Sequence, residues 1–500
     1  MPFSSIHAYA YGTDTPLQPV TNTQSHYLSG GLGADFWTLV VPQICRSEPA
    51  IWDAMIAISG LYEDPDQCLD FHFLRKQDDQ THSLNEHRRE ALTWYARSIS
   101  SVRSQIERGS ADPYISLISC VLFICIETIQ GRVEEALELY RQGVQLILDL
   151  RVQDTLGGVS ASKAVLLEQT LVPLFLRLGI VSLTVSGTQP SELYWSTEKT
   201  FSRSFSSVDQ ARAAIVLLST EAMIYEREST IHLRAAGGEH AVSTDMIEKK
   251  KSLSDRLSDW LKGYNNLCDR LRTDHAIPTA TEPILLAYHA SASIIVTGCL
   301  TQFETVYDVH AAEFSLIIEL TGQILSNSAG PDGSQPPFTF EMGTGIPLAV
   351  TAMKCRDPVL RRKALALLRM APPVQGFFKC VPVALLAENL MKLEEGYSPN
   401  SKKEAQYNLP DISLSSNNFA SPAVSLHENL GKNSPCVPEE ARISEYAVFR
   451  PQNGLLPGIK QDDITRWGRS SDDLFLRFTR NHFDQISFTW KPYFECVPLG

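Results

Sequence analysis

The chain has ten cysteines in 500 residues, yet no two of them stand in a CxxC pair. The closest, Cys120 and Cys125, lie five apart in an apolar stretch where helical geometry turns them about 140° from each other. This rules out the usual cysteine-rich zinc sites, and thiols so widely spread make no disulfide framework. They are expected to be reduced and to act as small core hydrophobes. Catalytic signatures are missing too: there is no HExxH, no GxxxxGK followed by Ser or Thr, no GxSxG and no kinase signature. Basic residues are in short supply, with 44 Lys and Arg against 57 Asp and Glu and a formal net charge of −13. A general polyanion binder would show the opposite balance. Long hydrophobic runs are also lacking. The longest, Tyr114 to Ile129, is too short to span a bilayer and is broken by Ser116, Ser119 and Glu127, so it predicts a buried central helix. The opening MPFSSIHAYAYGTDTPLQPV has no basic segment followed by an apolar one, so no secretory signal is read there and a soluble intracellular chain is expected.

What is present is an ordinary globular balance, 43% apolar and 20% charged. Composition divides the chain into a flexible N-terminal lead-in at 1–32, a helical domain at 33–396, a disordered linker or long loop at 397–455, and a C-terminal segment at 456–500. In the helical zone Ser47 is a candidate N-cap with Pro49 in the first turn, and Ala50, Ala54 and Ala57 form a small-residue stripe. Ala91, Tyr95, Ile99, Val102 and Ile106 share one face of the next helix. Asp112 and Pro113 repeat the cap-and-proline device before the buried helix. Val133, Ala136, Leu137, Tyr140, Val144, Ile147 and Leu148 stay in register on the fourth, with Glu134, Glu135, Glu138 and Arg141 elsewhere on its surface. These four helices are expected to pack as antiparallel hairpins. Further helices are predicted at 163–186, 208–229, 245–273, 281–306, 311–327, 357–370 and 380–395. In the tail, Leu474, Leu476 and Phe478, then NHFD, then Ile486, Phe488 and Trp490 read as a β-hairpin. The fold class is mainly α: a multi-helix domain of packed antiparallel helix hairpins with a small C-terminal β-hairpin.

The candidates for chemistry are weak. The glycines of Ser29 to Phe36 follow no strand and read as a hinge rather than a phosphate cradle. Asp70 with His72, and His82 with His87, are not at the i, i+4 spacing that puts ligands on one helical face, so solvated histidines are the better reading. Glu86 and Glu90 flank His87, Arg88 and Arg89 as an ordinary charged surface. Glu248 to Lys251 reads as a nuclear address or, better, as the exposed start of a helix. In MKCRDPVLRRKALALLRM, Asp357 is a candidate N-cap with Pro358 at the first helical position. Leu360, Ala364, Leu367 and Leu368 fill one arc of that helix. Arg362 and Arg369 lie opposite, and Arg361 and Lys363 flank it. The basic cluster opposes the helix dipole, which Glu388, Glu394 or Glu395 would offset. Salt-bridged surface is preferred to nucleic-acid contact, because no compact basic module surrounds the cluster. No catalytic, cofactor-binding or metal-ligating residue is assigned, and no cofactor is expected.

Three blocks, GADFWTLVVPQICRSEPAIWDAMIAISGLYED, LISCVLFICIETIQGRVEEALELYRQGVQLI and GIPLAVTAMKCRDPVLRRKALALLRMAPPVQG, occur in that order. Together they resemble the regulatory domain of the fungal zinc-cluster transcription factors, the fungal-specific transcription factor domain, over most of 33–396. The final hairpin is also similar to that family's C-terminal end. The third block departs from the family at its close. Val374, Gln375, Gly376 and Phe377 stand where the family tends to have charged residues, a glycine and a tryptophan. The six-cysteine DNA-binding module usual in the family is absent, since Cys45 alone precedes residue 60, and the chain is expected to start in what would be the linker after it. The resemblance implies a non-enzymatic transcriptional regulator or regulator-like protein in the nucleus, shared with the cytoplasm. It would act through protein association and effector sensing, with a pathway-specific role in secondary metabolism. The implied partners are proteins, including a DNA-binding regulator and a homo- or hetero-dimer mate; no direct zinc-cluster DNA contact and no membrane are expected. The alternatives are a helical scaffold with no role in transcription and, after it, a biosynthetic enzyme.

Overall fold

A computed structural model describes residues 35–62, 86–155, 160–185, 191–196, 204–236, 242–273, 282–397 and 437–499. The lead-in at 1–32, the glycines before Asp35, and Asp70, His72 and His82 lie outside the described residues, as does 398–436.

The fold is mainly α. A π-turn, Phe36–Val40, runs into α1, Pro49–Tyr62, by way of a helical turn at Val41–Ile44. Ser47 does not cap α1; its hydroxyl turns back and donates to the Ile44 carbonyl. The stripe of Ala50, Ala54 and Ala57 is fully buried and lets α2, Glu86–Glu107, approach closely, with the Ser98 hydroxyl donating to the Ala50 carbonyl at 2.7 Å. That contact rotates α2 from its predicted face. Ala91, Tyr95, Ser98 and Val102 are buried, whereas Ile99 and Ile106 are exposed. The Asp112 carboxylate accepts from the Tyr114 amide at 2.8 Å and opens α3, Pro113–Ile129, which is buried over most of its surface and central. It packs in a hairpin against α4, Val133–Thr155, whose predicted face is buried apart from half-buried Leu148.

The predicted helix at 163–186 is Ala161–Leu166, a π-turn at Leu167–Leu171, and α5, Val172–Ser182. Among the described helices Ala161–Ser182 is the one long and apolar enough to cross a membrane by length and composition; its α5 half is packed inside the bundle. Two long antiparallel helices follow, α6 at Val208–Ala236 and α7 at Thr244–Thr273. The predicted 281–306 helix is shorter, α8 at Glu282–Gly298, because the chain turns there and forms a 3-10 segment, Glu304–His310. At Gly298 the backbone meets the Tyr307 hydroxyl, and a Cβ would fall 1.9 Å from that oxygen. Then come α9, Ala311–Ser328, α10, Gly345–Lys354, α11, Pro358–Met370, and α12, Cys380–Glu395. Between them β1, Phe338–Thr339, pairs parallel with β2, Val374–Gln375, which pairs antiparallel with β3, Phe378–Lys379. Gly376 makes the β2–β3 turn at φ +56°, with no room for a side chain beside the Phe340 carbonyl.

The C-terminal sheet departs most from expectation. Strand β4, Ile443–Phe449, lies inside the predicted linker and pairs antiparallel with β5, Phe475–Asp484, which pairs with β6, Thr489–Pro498. The hairpin turn falls after NHFD rather than on it, placing Ile486 (93% exposed) and Phe488 at the tip instead of in the strand. Leu476, Phe478 and Val497 pack on Leu386, Leu390 and Leu393 of α12, so the sheet shares an apolar interface with the helical domain.

Candidate functional site

The basic cluster divides between core and surface. The Asp357 carboxylate caps α11, accepting from the Val359 and Leu360 amides at 2.9 Å each. Arg361 does not flank the apolar arc as predicted; it is 1% exposed, beside Ala364, Leu365 and Leu368. Its guanidinium donates to the Ala352 carbonyl and, at 2.5 Å, to Glu394. Arg362 and Arg369 reach Glu395 and Glu388 across the surface between α11 and α12, each at 2.5 Å. Glu388, Glu394 and Glu395 thus supply the countercharge expected of them. In Glu248–Lys251, Lys249 pairs with Glu228 at 2.6 Å, and Lys250 donates to the Thr297 and Cys299 carbonyls at the end of α8.

Arg361 is one end of a buried chain of charges. Glu394 also binds Arg356 at 2.6 Å, Arg356 lies 3.0 Å from Glu304, and Glu304 holds Lys354 at 2.9 Å. Burial alone would raise the Glu394 carboxyl, but Arg356 and Arg361 outweigh it and keep the group below its usual value. The same chain fastens the C-terminal sheet. Glu394 accepts from the Ile443 amide at 2.8 Å, and Arg356 donates to the Ile443 carbonyl. Nearby, Arg442 forms a bidentate pair with Asp308 at 2.7 and 2.8 Å, and Arg480 donates to the Leu393 carbonyl.

At Lys354 this chain meets a cavity of about 420 Å³ between the helices and β4. The α10 residues Ile346, Ala349, Val350, Met353 and Lys354 recur at i, i+3, i+4, i+7 and i+8 and form one wall. Met223, Glu226 and Arg227, at i, i+3 and i+4 on α6, form the facing one. Phe378 and Leu386 contribute apolar surface, and Tyr446 closes the β4 side, its hydroxyl 2.8 Å from the Met353 sulfur. Volume and mixed lining are those of a small-molecule site.

The polar groups gather at one end. Arg227 donates to the Leu183 carbonyl, and the Lys354 ammonium lies 4.8 Å from the centre of the Tyr307 ring. Burial would lower the Lys354 ammonium, but Glu304, Tyr307 and Glu226 override it and hold the group above its usual value. Burial raises the Glu226 carboxyl, opposed by Lys354 and Arg227 and reinforced by Glu304. Among the described residues no donor is hydrogen-bonded to that carboxyl.

This set holds a ligand better than it transforms one. A lysine held protonated is a poor nucleophile or base, and Tyr307 is likewise shifted upward by burial. No cysteine among the described residues is in the cavity lining; burial pushes Cys45, Cys120 and Cys299 up to about 12, far from the reactive thiolate range. Among the described residues no group of three or more His, Cys, Asp and Glu is placed to hold a metal. Sequence reasoning named Arg361–Lys363 but missed Glu226 and the cavity. The available signal was Glu226–Arg227 within α6, where Ala222, Tyr225 and Ser229 are buried. Comparison with family models, curated proteins and solved structures finds no match to this chain.

Proposed function

We propose that the chain is a transcriptional regulator, or regulator-like protein, whose helical domain senses a small effector in this cavity and acts through protein association in the nucleus. The family resemblance of the three sequence blocks supplies the transcriptional part. The observation that carries the effector part is the cavity's position between α6, α10 and β4, in contact through Lys354 with the charge chain that fastens the C-terminal sheet. A ligand touching both walls has a direct route to the seating of the sheet, a surface suited to presenting or withholding a partner contact. Transcript profiling of a deletion strain tests the reading. Coordinated change in a set of pathway transcripts is expected; loss of one chemical step with those transcripts unchanged overturns it.

A biosynthetic enzyme is the second reading, because a pocket with convergent polar groups and shifted titratable residues is what such an enzyme would present. Glu226 is the group that would serve as its acid or base. The same experiment separates the two.

A further inference from the structure

The charges at the polar end of the cavity limit what it accepts. Of the lining residues Arg227, Lys354 and Glu226 carry charge, and Lys354 is already paired with Glu304, which is not part of the lining. A cationic head group would meet two cations, and an anionic one would meet the Glu226 carboxyl while Lys354 and Arg227 are already engaged by Glu304 and the Leu183 carbonyl. Most of the remaining lining is apolar, with Leu183, Ile295, Ile346, Phe378 and Leu386 offering no side-chain donor or acceptor; of the hydroxyls of Thr184, Tyr307 and Tyr446, the first is bonded to the Val181 carbonyl and the last lies on the Met353 sulfur. One demand is left over. The half-buried Glu226 carboxyl faces this partly open space with no hydrogen-bonded donor among the described residues, so water or a ligand has to satisfy it.

We propose that the cavity binds an uncharged, largely apolar molecule carrying a hydroxyl group, seated with that hydroxyl against the Glu226 carboxyl. A hydroxyl donates to a carboxylate and accepts from a carboxylic acid, so it satisfies Glu226 in either protonation state. A ketone or ether would satisfy the acid alone, and an ammonium the carboxylate alone. The apolar body lies along the Ile346–Val350 face of α10, and its far side reaches Val448 of β4. This inference rests on the cavity being a ligand site, as proposed above.

Three fluorescent probes with one apolar body test it on the full chain: pyrenemethanol, pyrenecarboxylate and pyrenemethylammonium. Pyrenemethanol is expected to bind saturably, each charged analogue at least about tenfold more weakly, and Glu226→Leu to weaken the alcohol about tenfold. Glu226→Gln, which keeps a hydrogen-bonding head, is expected to retain the alcohol's affinity. Equal or tighter binding of a charged analogue, or indifference of the alcohol to Glu226→Leu, overturns the ligand class while leaving the site standing. Ala349→Phe and Val350→Phe each fill the cavity from α10 and are expected to abolish binding, with circular dichroism confirming an intact helical fold. If no probe binds saturably, or if both filled variants bind as well as the parent, the cavity is not a ligand site and the effector reading fails with it.

Discussion

Removing the Arg361 side chain would leave Glu394 buried with half of its countercharge, whereas removing Arg362 frees Glu395 to be solvated at the surface. Arg361→Ala is therefore expected to cost about 3 to 5 kcal/mol and Arg362→Ala less than about 1 kcal/mol, read from denaturant midpoints. Two adjacent arginines of equal charge thus differ by the dielectric around them. Glu394 carries a pH signature. Its folded value is depressed, so its contribution is fully present above the unfolded value near pH 4.3 and is lost as pH falls through the folded one. Between about pH 7 and pH 3 the stability gap between the parent and Glu394→Gln is expected to narrow; a constant gap would contradict the assignment. The sequence placed Arg361 on the flank of the apolar arc and named Glu394 among its partners. It could not show that the arc closes over the guanidinium, because that depends on where α12 and β4 lie.

At the scale of elements, helices with a sustained period were legible whether or not a side chain caps them. The predictions at 245–273, 311–327, 357–370 and 380–395 match α7, α9, α11 and α12 to within a residue or so at either end. Asp357→Ala is expected to cost about 1 kcal/mol through loss of two amide partners, with Arg361 still buried. Helix α10 escaped because its 10 residues are too few to sustain a helical period. The hairpin was found but its turn misplaced, since apolar alternation continues through Ile486 and Phe488 although neither lies in a strand. Strand β4 was lost in a stretch judged by its polar composition; what makes it a strand is its pairing with β5, a contact distant in sequence. Gly298 joins an element to the cavity. Gly298→Ala puts a Cβ onto the Tyr307 hydroxyl, so Tyr307 must move within the lining. The expected result is weakened probe binding with helix content unchanged; unaltered affinity would show that Tyr307 is free to swing aside.

At the scale of the whole molecule, the mainly α class was readable from periodicity, but the cavity was not, because it is assembled from helices, strands and turns spread from Leu183 to Val448. No local pattern specifies an empty volume; it is what remains when α6, α10, α12 and β4 have been seated by their own contacts. The seating of the sheet relies on buried polar ties at Arg356, Arg442 and Arg480 as well as on the apolar patch with α12. Such ties are intolerant of partial separation, since each guanidinium that loses its partner stays buried and unpaired. Arg442→Ala is therefore expected to loosen the sheet, seen as faster amide exchange in β4 and β5 than in α3; equal rates throughout would mean that the sheet is held by its apolar contacts alone. Under the proposed function, occupancy of the cavity governs a regulatory output. The most direct measurement compares transcripts in three strains: parent, deletion, and one carrying Ala349→Phe at parental protein level. The filled variant is expected to disturb the same transcripts as the deletion. A filled variant whose transcripts match the parent, in a background where the deletion changes them, would contradict it.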